Sequence, residues 1–351
     1  MHRTFLRRAP RASRRLFATS FAGLLGIAVL AATGALPAGA SSTTTQPVNL
    51  SGVTLNVADQ LKEYQTAFQA AGVANTPYKI SWSNFIGGPP IIAAESGGSV
   101  DLGSMAETPT IFAQSAGDPV KVVSVSEGLN PATSSPYAIV VPQNSPIKTL
   151  AQLKGHSIAV QLGTVEQYVL VRLLQKAGLS YNSVTIDNLP ITTGETALES
   201  GSVDAYVTSY PFVSLIEQAG KGKVLATGAG VTLFLGYLTA STAALENPGK
   251  AAAIADFVVR FHKAQTYLQD HPALAAQTYA TEYGVPLSVA QDTVKHSATK
   301  ATPINASVIA YQQAEANTLN KLDLIPEKLN VVNIFDTRLN SAVEAYLKSA
   351  G

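Results

Sequence analysis

Residues 148–178, KTLAQLKGHSIAVQLGTVEQYVLVRLLQKAG, hold the pattern that decides the fold. The short apolar run Ser157–Val160 has the length and the β-branched content of a buried strand. The segment Val165–Lys176 then spaces its apolar residues as a helix does, and Gly178 supplies the helix stop. A strand followed directly by a helix is the unit from which parallel sheets covered by helices are built.

The same strand–helix unit recurs on both sides of this stretch. Further strands are predicted around Val53–Val57, Ile80–Trp82, Val120–Val125, Val184–Ile186, Val203–Val207 and Val224–Ala226. Two more strand-like runs, Tyr137–Val141 and Leu233–Ala240, would cross between two units of comparable size. The pattern predicts an α/β protein with two mainly parallel sheets, flanking helices and a helical tail that packs on the first unit. Ligands of such sheets bind at the carboxyl ends of the strands, which here face the cleft between the units.

The first 40 residues have the composition of a secretory signal. A basic segment is followed by the uncharged run Leu16–Leu36 and by the small residues Ala38-Gly39-Ala40, so we expect cleavage after Ala40. Ser13–Ala18 is similar to a twin-arginine signal, although general export stays open. An uncleaved membrane anchor is the alternative, which glycines within the run disfavour.

Composition excludes several classes of protein. Hydrophobic residues make up 46% of the 351 and charged residues 13%, which is typical of a globular protein. Without residues 1–40 the chain keeps 18 basic and 23 acidic residues, a net charge of −5, so we expect no nucleic-acid binding. The chain has no cysteine, which excludes disulfides, thiolate metal sites, cysteine nucleophiles and lipid attachment behind the signal. A soluble, extracytoplasmic protein that is not a lipoprotein is therefore expected.

Several short motifs, in their order and spacing, resemble one family. They are Ile80-Ser-Trp-Ser-Asn-Phe-Ile-Gly-Gly-Pro89, Gly98-Ser-Val-Asp-Leu-Gly-Ser104, Glu107-Thr-Pro-Thr-Ile-Phe-Ala-Gln114, Ser145-Pro-Ile-Lys-Thr149, Leu153-Lys-Gly155, Gly201-Ser-Val-Asp-Ala205 and Leu324-Ile-Pro326. With them the chain resembles the substrate-binding proteins of ATP-binding-cassette (ABC) importers, in the branch of the aliphatic-sulfonate and taurine binders.

The resemblance implies a two-lobed, type II periplasmic-binding-protein fold. Residues 41–138 with 234–351 would form lobe 1, and residues 139–233 lobe 2. The lobes would close about a hinge on a small sulfonate-like anion, and a monomer would deliver it to an ABC permease and its ATPase. Nitrate or a thiamine precursor is the alternative ligand. No cofactor, metal or catalytic residue is expected.

The expected ligand site uses helix starts in place of arginines, because only Arg172, Arg260 and Arg338 follow the signal. Free amides and the helix dipole at helix starts suit a singly charged anion. Candidate residues there are Thr108, Gly163, Thr164, Val165, Thr208 and Ser209, although each threonine could simply cap its own helix. Gln60, Phe85, Met105, Glu107, Tyr210 and Phe212 are the further candidates, the aromatic residues and Met105 as an apolar wall.

Two departures from the family pattern affect the expected ligand. Ser209-Tyr210-Pro211-Phe212 stands where many relatives have Trp-Asp-Pro-Tyr, and the lost acid makes an ammonium-bearing, taurine-like ligand doubtful. Glu166 follows a helix start where many relatives have a small residue, and we expect it to face solvent. Enzymes that share the fold use cysteines this chain lacks, and its few histidines show no metal-ligand spacing. An enzyme is thus the less favoured hypothesis.

Overall fold

The computed structural model describes residues 48–350. The predicted signal segment, residues 1–40, and its cleavage after Ala40 lie outside the described residues. Within residues 48–350, no helix has both the length and the apolar character needed to span a bilayer.

The first sheet has six strands. They are β1 (Thr54–Gln60), β2 (Lys79–Phe85), β3 (Leu102–Ala106), β4 (Val120–Gly128), β10 (Leu235–Ser241) and β11 (Thr299–Thr302). Their spatial order is β11-β4-β10-β3-β1-β2. β1 pairs in parallel with β2 and β3, whereas β10 lies antiparallel between β3 and β4, and β11 is antiparallel to β4. Four strands therefore run in one direction and two in the other.

The second sheet has five strands. They are β5 (Tyr137–Pro142), β6 (Ser157–Val160), β7 (Thr185–Asn188), β8 (Ala205–Ser209) and β9 (Gly222–Thr227). Their order is β7-β6-β8-β5-β9, and only β5 runs against the others. The prediction of two mainly parallel sheets is confirmed, with the added detail that the strand entered after each crossing is antiparallel to its neighbours.

Helices cover both sheets and continue into a long carboxyl-terminal part. The helices between the strands are α1 (Glu63–Ala70), α2 (Gly88–Ser96), α3 (Thr108–Ala116), α4 (Val165–Lys176), α5 (Ile191–Glu199) and α6 (Phe212–Gln218). The later ones are α7 (Thr242–Glu246), α8 (Pro248–Asp270), α9 (Pro272–Tyr283), α10 (Leu287–Ser297), α11 (Ala306–Lys321) and α12 (Asn340–Ala350). Short 3-10 turns occur at Leu150–Leu153, Tyr181–Ser183, Val331–Ile334 and Thr337–Leu339.

Each lobe has its own apolar core. In lobe 1, α8 packs its apolar face on α1 and β1, and the rings of Phe68 and Phe257 lie 4.8 Å apart. In lobe 2, α4 buries Val169, Leu170 and Leu173 against β5, β6 and β8. The predicted packing of the helical tail on the first unit is confirmed for α8 and α12, while Leu319 of α11 also packs near Tyr168 of lobe 2.

Two crossing segments join the lobes and run side by side. The chain leaves the first sheet after Gly128, enters the second at Tyr137, and returns between Thr227 and Leu235. Backbone hydrogen bonds tie the crossings together, since the Gly128 N–H donates to the Phe234 carbonyl oxygen at 2.9 Å. Phe234 has a left-handed backbone with φ of 51°. The predicted lobe boundaries at 138/139 and 233/234 fall beside these crossings and stay predictions.

Candidate functional site

A cavity of about 210 Å³ lies between the lobes. Its wall includes a residue within or directly before the first turn of each of α1 to α6: Glu63, Gly88, Pro109, Val165, Ile191 and Phe212. This convergence follows from the topology, because the carboxyl ends of parallel strands share one edge of a sheet and each strand leads into a helix there. Several first-turn amides of these helices are used or absent, because Asp59 accepts the N–H groups of Tyr64 and Gln65, Gln161 accepts that of Ile191, and α2 and α3 begin with prolines. The remaining first-turn amides give the cavity a positive backbone potential.

On the lobe 1 side, Gln60 connects two parts of the wall. Its side-chain Nε2 donates to the carbonyl oxygen of Ser104 at 3.0 Å, and its Oε1 accepts from the N–H of Gly87 at 2.9 Å. Met105 lies beside it and is 2% exposed. Gln60 thereby holds the start of α2 against the end of β3, which fixes the position of this part of the cavity wall.

On the lobe 2 side, the start of α4 supplies Thr164, Val165 and Glu166, and the end of β8 supplies Ser209. The Thr164 hydroxyl donates to the carbonyl oxygen of Gln161 at 2.7 Å. Glu166 is 5% exposed and lines the cavity. The expectation that Glu166 faces solvent is therefore wrong: its place in the first turn of α4 turns it toward the other lobe.

The start of α5 is held at the cavity by Tyr206 of β8. Its hydroxyl donates to the carbonyl oxygen of Ile191 at 2.6 Å. Gly194, one turn further along α5, allows this approach, because a Cβ at that position would stand 2.2 Å from the Tyr206 ring. Ile191 therefore projects from a fixed backbone.

Aromatic side chains form much of the remaining wall. They are Tyr64, Tyr137, Tyr210, Phe212, Phe234, Phe261, Tyr279 and Tyr283. Tyr137 and Phe234, from the two crossings, meet edge to face with centroids 5.8 Å apart. An apolar or aromatic wall of this kind suits the organic part of a small ligand.

The described cavity wall contains no lysine or arginine, and its charged side chains are Glu63 and Glu166. Each of the three arginines in residues 48–350 has a partner elsewhere: Arg172 donates to the Tyr168 hydroxyl, Arg260 to Asp256 and Arg338 to Asp336. Nothing in the described part of the chain therefore clamps an anion through a guanidinium in this cavity.

Burial changes the acidity of both carboxyl groups in the wall. It raises the pKa of Glu63 to about 7, although the Tyr279 hydroxyl, which donates to Oε1 at 2.8 Å, partly offsets this rise. Burial likewise raises the pKa of Glu166, against the opposing effects of its own backbone N–H and the hydroxyls of Thr164 and Ser209. Loss of hydration disfavours the charged form in each case.

Of the twelve candidate residues, seven line the cavity: Gln60, Met105, Thr164, Val165, Ser209, Tyr210 and Phe212. The other five do not belong to its wall. Phe85 packs, partly buried, against the lobe 1 core, while the next residue, Ile86, reaches the cavity. The Gly163 N–H is already used by Oε1 of Gln167 at 2.8 Å. Thr208 is buried with its hydroxyl unpaired among the described residues.

Glu107 and Thr108 turn away from the cavity into a buried acidic cluster with Glu315. The Thr108 hydroxyl donates to the Glu315 carboxylate and does not cap α3, so the alternative hypothesis that Thr108 only caps its own helix is wrong. The Tyr311 hydroxyl donates to Glu107 at 3.3 Å. Burial raises the pKa of Glu107 to about 7 and that of Glu315 well above its usual range. Burial and, for Glu315, the charge of Glu107 both favour the protonated carboxyl group.

The sequence did not indicate the wall residues of α1, α8 and α9. These helices have ordinary amphipathic patterns, in which an aromatic residue is predicted to belong to the core. The missed wall residues are Tyr64, Phe261, Gln265, Tyr279 and Tyr283. Glu63 begins α1 three residues after Gln60, and Gln60 was the only candidate predicted in this part of the chain. Within residues 48–350 no group of three or more histidine, aspartate or glutamate side chains could hold a metal ion.

The hairpin of α9 and α10 reaches from lobe 1 to lobe 2 beside the cavity. The Ser214 hydroxyl of α6 donates to Asp292 of α10 at 3.1 Å, and the Ser288 hydroxyl donates to Gln218 at 2.6 Å. The ring of Tyr210 stacks on His296 with centroids 4.2 Å apart and an interplanar angle of 8°. These contacts join the lobes through side chains as well as through the two crossings.

Comparison with known proteins agrees with this architecture. The NMT1/THI5 like family model matches residues 90–275. The putative aliphatic sulfonates-binding protein of Escherichia coli is 32% identical over 254 residues, covering 72% of this chain and 78% of that protein. The Bacillus subtilis protein of the same name is 27% identical over 295 residues, covering 83% and 85%.

A solved structure extends the likeness to three dimensions. The alkanesulfonate-binding protein of Xanthomonas axonopodis pv. citri, bound to MOPS, superposes with a TM-score of 0.71 at 28% identity, covering 81% of this chain and 98% of that one. The two-lobed α/β periplasmic-binding-protein fold expected from the motifs is thereby confirmed. The chain belongs to the NMT1/THI5 like family, in the branch that contains the aliphatic sulfonate-binding proteins.

Proposed function

We propose that this protein is an extracytoplasmic solute-binding protein that closes on a small organic sulfonate and delivers it to the permease of an ABC importer. The observation that carries the proposal is the cavity between the lobes, on which the starts of six helices converge and in which aromatic rings form much of the wall. A sulfonate is a weakly hydrated single charge that backbone amides can bind without a guanidinium. The aromatic wall suits its organic part.

Binding and delivery follow from the two-lobed geometry. A ligand that contacts both lobes has more favourable contacts in the closed form, so it shifts the hinge equilibrium toward closure. A permease can then distinguish loaded from empty protein by shape. We propose that the protein acts as a monomer, without cofactor or nucleic acid, and that it does not transform its ligand. The relatives named above are binding proteins, and the absence of cysteine removes one class of nucleophile.

A ligand panel tests the proposal. The purified protein is heated with alkanesulfonates, aryl sulfonates, taurine, nitrate and a hydroxymethyl pyrimidine, and the midpoint of unfolding is measured. A sulfonate at about 100 times its Kd adds roughly 3 kcal/mol to the free energy of unfolding, a shift of several degrees. Saturable one-site binding without consumption of ligand is expected by calorimetry and chromatography.

Stabilisation by nitrate or by the pyrimidine, with none by any sulfonate, would contradict the sulfonate assignment and favour the alternative ligands. Steady consumption of a bound sulfonate would contradict the non-enzymatic role. If none of these small ligands binds or raises the unfolding midpoint, the transport proposal is overturned.

A further inference from the structure

A chain of buried polar side chains crosses lobe 1 and ends at the cavity. Most of the buried face of α8 is apolar, yet His262 and Gln265 lie on it and are 1% and 8% exposed. Polar groups buried in this way cost stability unless they are hydrogen-bonded. Both are bonded, and their bonds connect β4 of the first sheet to the cavity wall.

The side-chain oxygen of Gln265 fixes the direction of these bonds. Its Oε1 accepts from the Ser126 hydroxyl at 3.0 Å and lies 2.9 Å from Nδ1 of His262. Because an amide oxygen only accepts, Nδ1 of His262 carries the hydrogen. Nε2 of the same ring then accepts from the Ser124 hydroxyl, which lies 2.7 Å away. Burial lowers the pKa of His262 to about 4, so at neutral pH the ring carries a single N–H.

With its oxygen turned to His262, Gln265 presents its amide nitrogen to the cavity wall. Nε2 of Gln265 donates to the Thr299 hydroxyl at 3.3 Å. The Tyr64 hydroxyl faces Gln265 and Ser104, and all four of these residues line the cavity. Burial raises the pKa of Tyr64 well above its usual range. The side chains of Ser104 and Gln265 offset part of that rise, as donors to the phenol oxygen do.

The Tyr64 oxygen thus receives hydrogen bonds from two side chains, which leaves its own O–H to an acceptor elsewhere. Glu63 and Asp59 act on Tyr64 through their charge alone, so neither of them accepts this hydrogen. Tyr64 is half-buried and lines the cavity, so the open place for an acceptor is the cavity itself. The neighbouring carboxyl group of Glu63 disfavours a negative acceptor there, whereas an uncharged oxygen of a ligand's organic part meets no such repulsion.

We infer that Tyr64 binds the ligand by donating its hydroxyl hydrogen to an uncharged oxygen, and that His262 and Gln265 are positioning residues that fix the direction of this donation. The inference rests on the proposed function, which supplies a ligand for the cavity. If His262 carried its hydrogen on Nε2, the Gln265 amide would turn over and present its oxygen to Tyr64. The hydroxyl hydrogen would then be bound within the protein, and this part of the wall would accept in place of donating.

Two sulfonates of equal length test the donor, because isethionate ends in a hydroxyl where propane-1-sulfonate ends in a methyl group. The measured quantity is the ratio of the isethionate affinity to the propane-1-sulfonate affinity, by titration calorimetry at about pH 7. Tyr64→Phe removes only the hydroxyl and should lower this ratio about fivefold or more, the effect of one lost hydrogen bond. Tyr267→Phe removes a hydroxyl from α8 outside the cavity and should preserve the ratio. A ratio that Tyr64→Phe leaves unchanged would overturn the inference.

His262→Asn and His262→Leu separate positioning from packing. The asparagine amide nitrogen stands the same number of bonds from Cβ as Nδ1 does, so it can still donate to Gln265, whereas leucine cannot. Both variants lose Nε2, which accepts from Ser124, so both should lower the unfolding midpoint. Only His262→Leu should also lower the affinity ratio, by about fivefold. Equal ratios in the two variants would overturn the positioning role of His262.

Nitrogen NMR of the imidazole ring identifies the tautomer without any ligand. We expect the hydrogen of His262 on Nδ1 between about pH 6 and about pH 8, and a hydrogen on Nε2 would overturn the inference. The two proposals fail in different ways. If no sulfonate binds, the proposed function fails and the ligand-binding role of Tyr64 fails with it. If sulfonates bind but the tautomer or the ratios are contrary, only this inference fails.

Discussion

At the scale of single residues, neighbouring positions on one strand end have different roles. Phe85 ends β2 and packs, partly buried, against the lobe 1 core, whereas Ile86 reaches the cavity. On the opposite lobe, Phe212 begins α6 and lines the cavity, although most of its neighbours in that helix are buried elsewhere. Successive side chains of a strand point to opposite faces, so one residue of register separates a core side chain from a ligand wall.

These placements predict which phenylalanine contacts a ligand chain. Phe212→Ala should weaken binding of a long alkanesulfonate more than binding of methanesulfonate, since only the longer chain reaches the ring, by about tenfold for a well-buried contact. Phe85→Ala is the matched control, which should lower the unfolding midpoint and leave both affinities nearly unchanged. Titration calorimetry of both variants with both ligands measures these affinities. A chain-length effect seen only in Phe85→Ala would contradict the placement of Phe212 in the cavity wall.

The sequence identified candidate wall residues best where a helix follows a strand without other constraints. Thr164, Val165 and Ser209 lie at such junctions and do line the cavity. Thr108 lies at a similar junction, yet its hydroxyl is taken by Glu315, which is 207 residues further along the chain. No local pattern contains such a contact. Glu166 was misjudged for the same reason, because its solvent exposure depends on whether another lobe covers the helix start.

At the scale of elements, the α9–α10 hairpin is a second connection between the lobes. Two hydrogen bonds join α10 to Ser214 and Gln218 of α6, and one aromatic stack joins it to Tyr210, just before that helix. Such contacts add to the stability of the closed arrangement whether or not ligand is present, so they set how much of the empty protein is closed. The apparent affinity for the ligand is proportional to the fraction of empty protein that is closed, so a smaller closed fraction weakens binding.

Removing the α10 contacts should therefore open the empty protein. Ser288→Ala combined with Asp292→Ala deletes both hydrogen bonds, which are worth about 1 kcal/mol each. We expect a larger radius of gyration without ligand by X-ray scattering and a several-fold weaker ligand affinity. Gln291→Ala, on an exposed position of the same helix, should change neither value. An unchanged radius of gyration in the double variant would show that the crossings alone hold the lobes together.

Elements were predictable where start and stop signals are local. The predicted bounds of α4 agree with the structure, because Thr164 and Gly178 flank a regular apolar pattern. β11 escaped prediction, since Thr299–Thr302 is four residues long and follows a helix in a helical region. It becomes a strand only because the edge of β4 is available for pairing. Tertiary context, which the local sequence does not contain, decides such short segments.

At the scale of the whole molecule, buried acids make stability depend on pH. Burial raises the pKa of Glu95 to about 8, those of Glu63 and Glu107 to about 7, and that of Asp59 to about 6. Carboxyl groups with raised pKa values stabilise the fold at low pH. They lose that contribution as the pH rises through their folded-state pKa. Burial lowers the pKa of His262 to about 4, so this side chain destabilises the fold as pH falls below about 6.5. Four such carboxyl groups oppose one histidine, so the free energy of unfolding is expected to fall with rising pH above about pH 4.5, and maximal stability lies near that pH.

Urea denaturation at a series of pH values should show this maximum, with the free energy of unfolding falling by a few kcal/mol toward about pH 8.5. Glu95→Gln, which keeps a group able to bond Thr239, should make the alkaline side flatter and raise stability there. A profile that increases steadily from pH 5 to pH 8.5 would contradict the raised pKa values. If the free energy of unfolding of Glu95→Gln depends on pH as steeply as that of the parent protein, Glu95 is not a main contributor to the pH dependence.

The position of β10 between β3 and β4 has a consequence for biogenesis. Residues 129–234 are made, and the second sheet can be complete, before the strand that joins β3 to β4 exists. Non-local pairing of this kind slows folding and leaves strand edges open until the late segments arrive. A nascent chain lacking residues beyond 234 would therefore carry a finished lobe 2 and an unfinished lobe 1. Whether such a protein crosses a membrane folded or unfolded then decides on which side of it lobe 1 is first assembled.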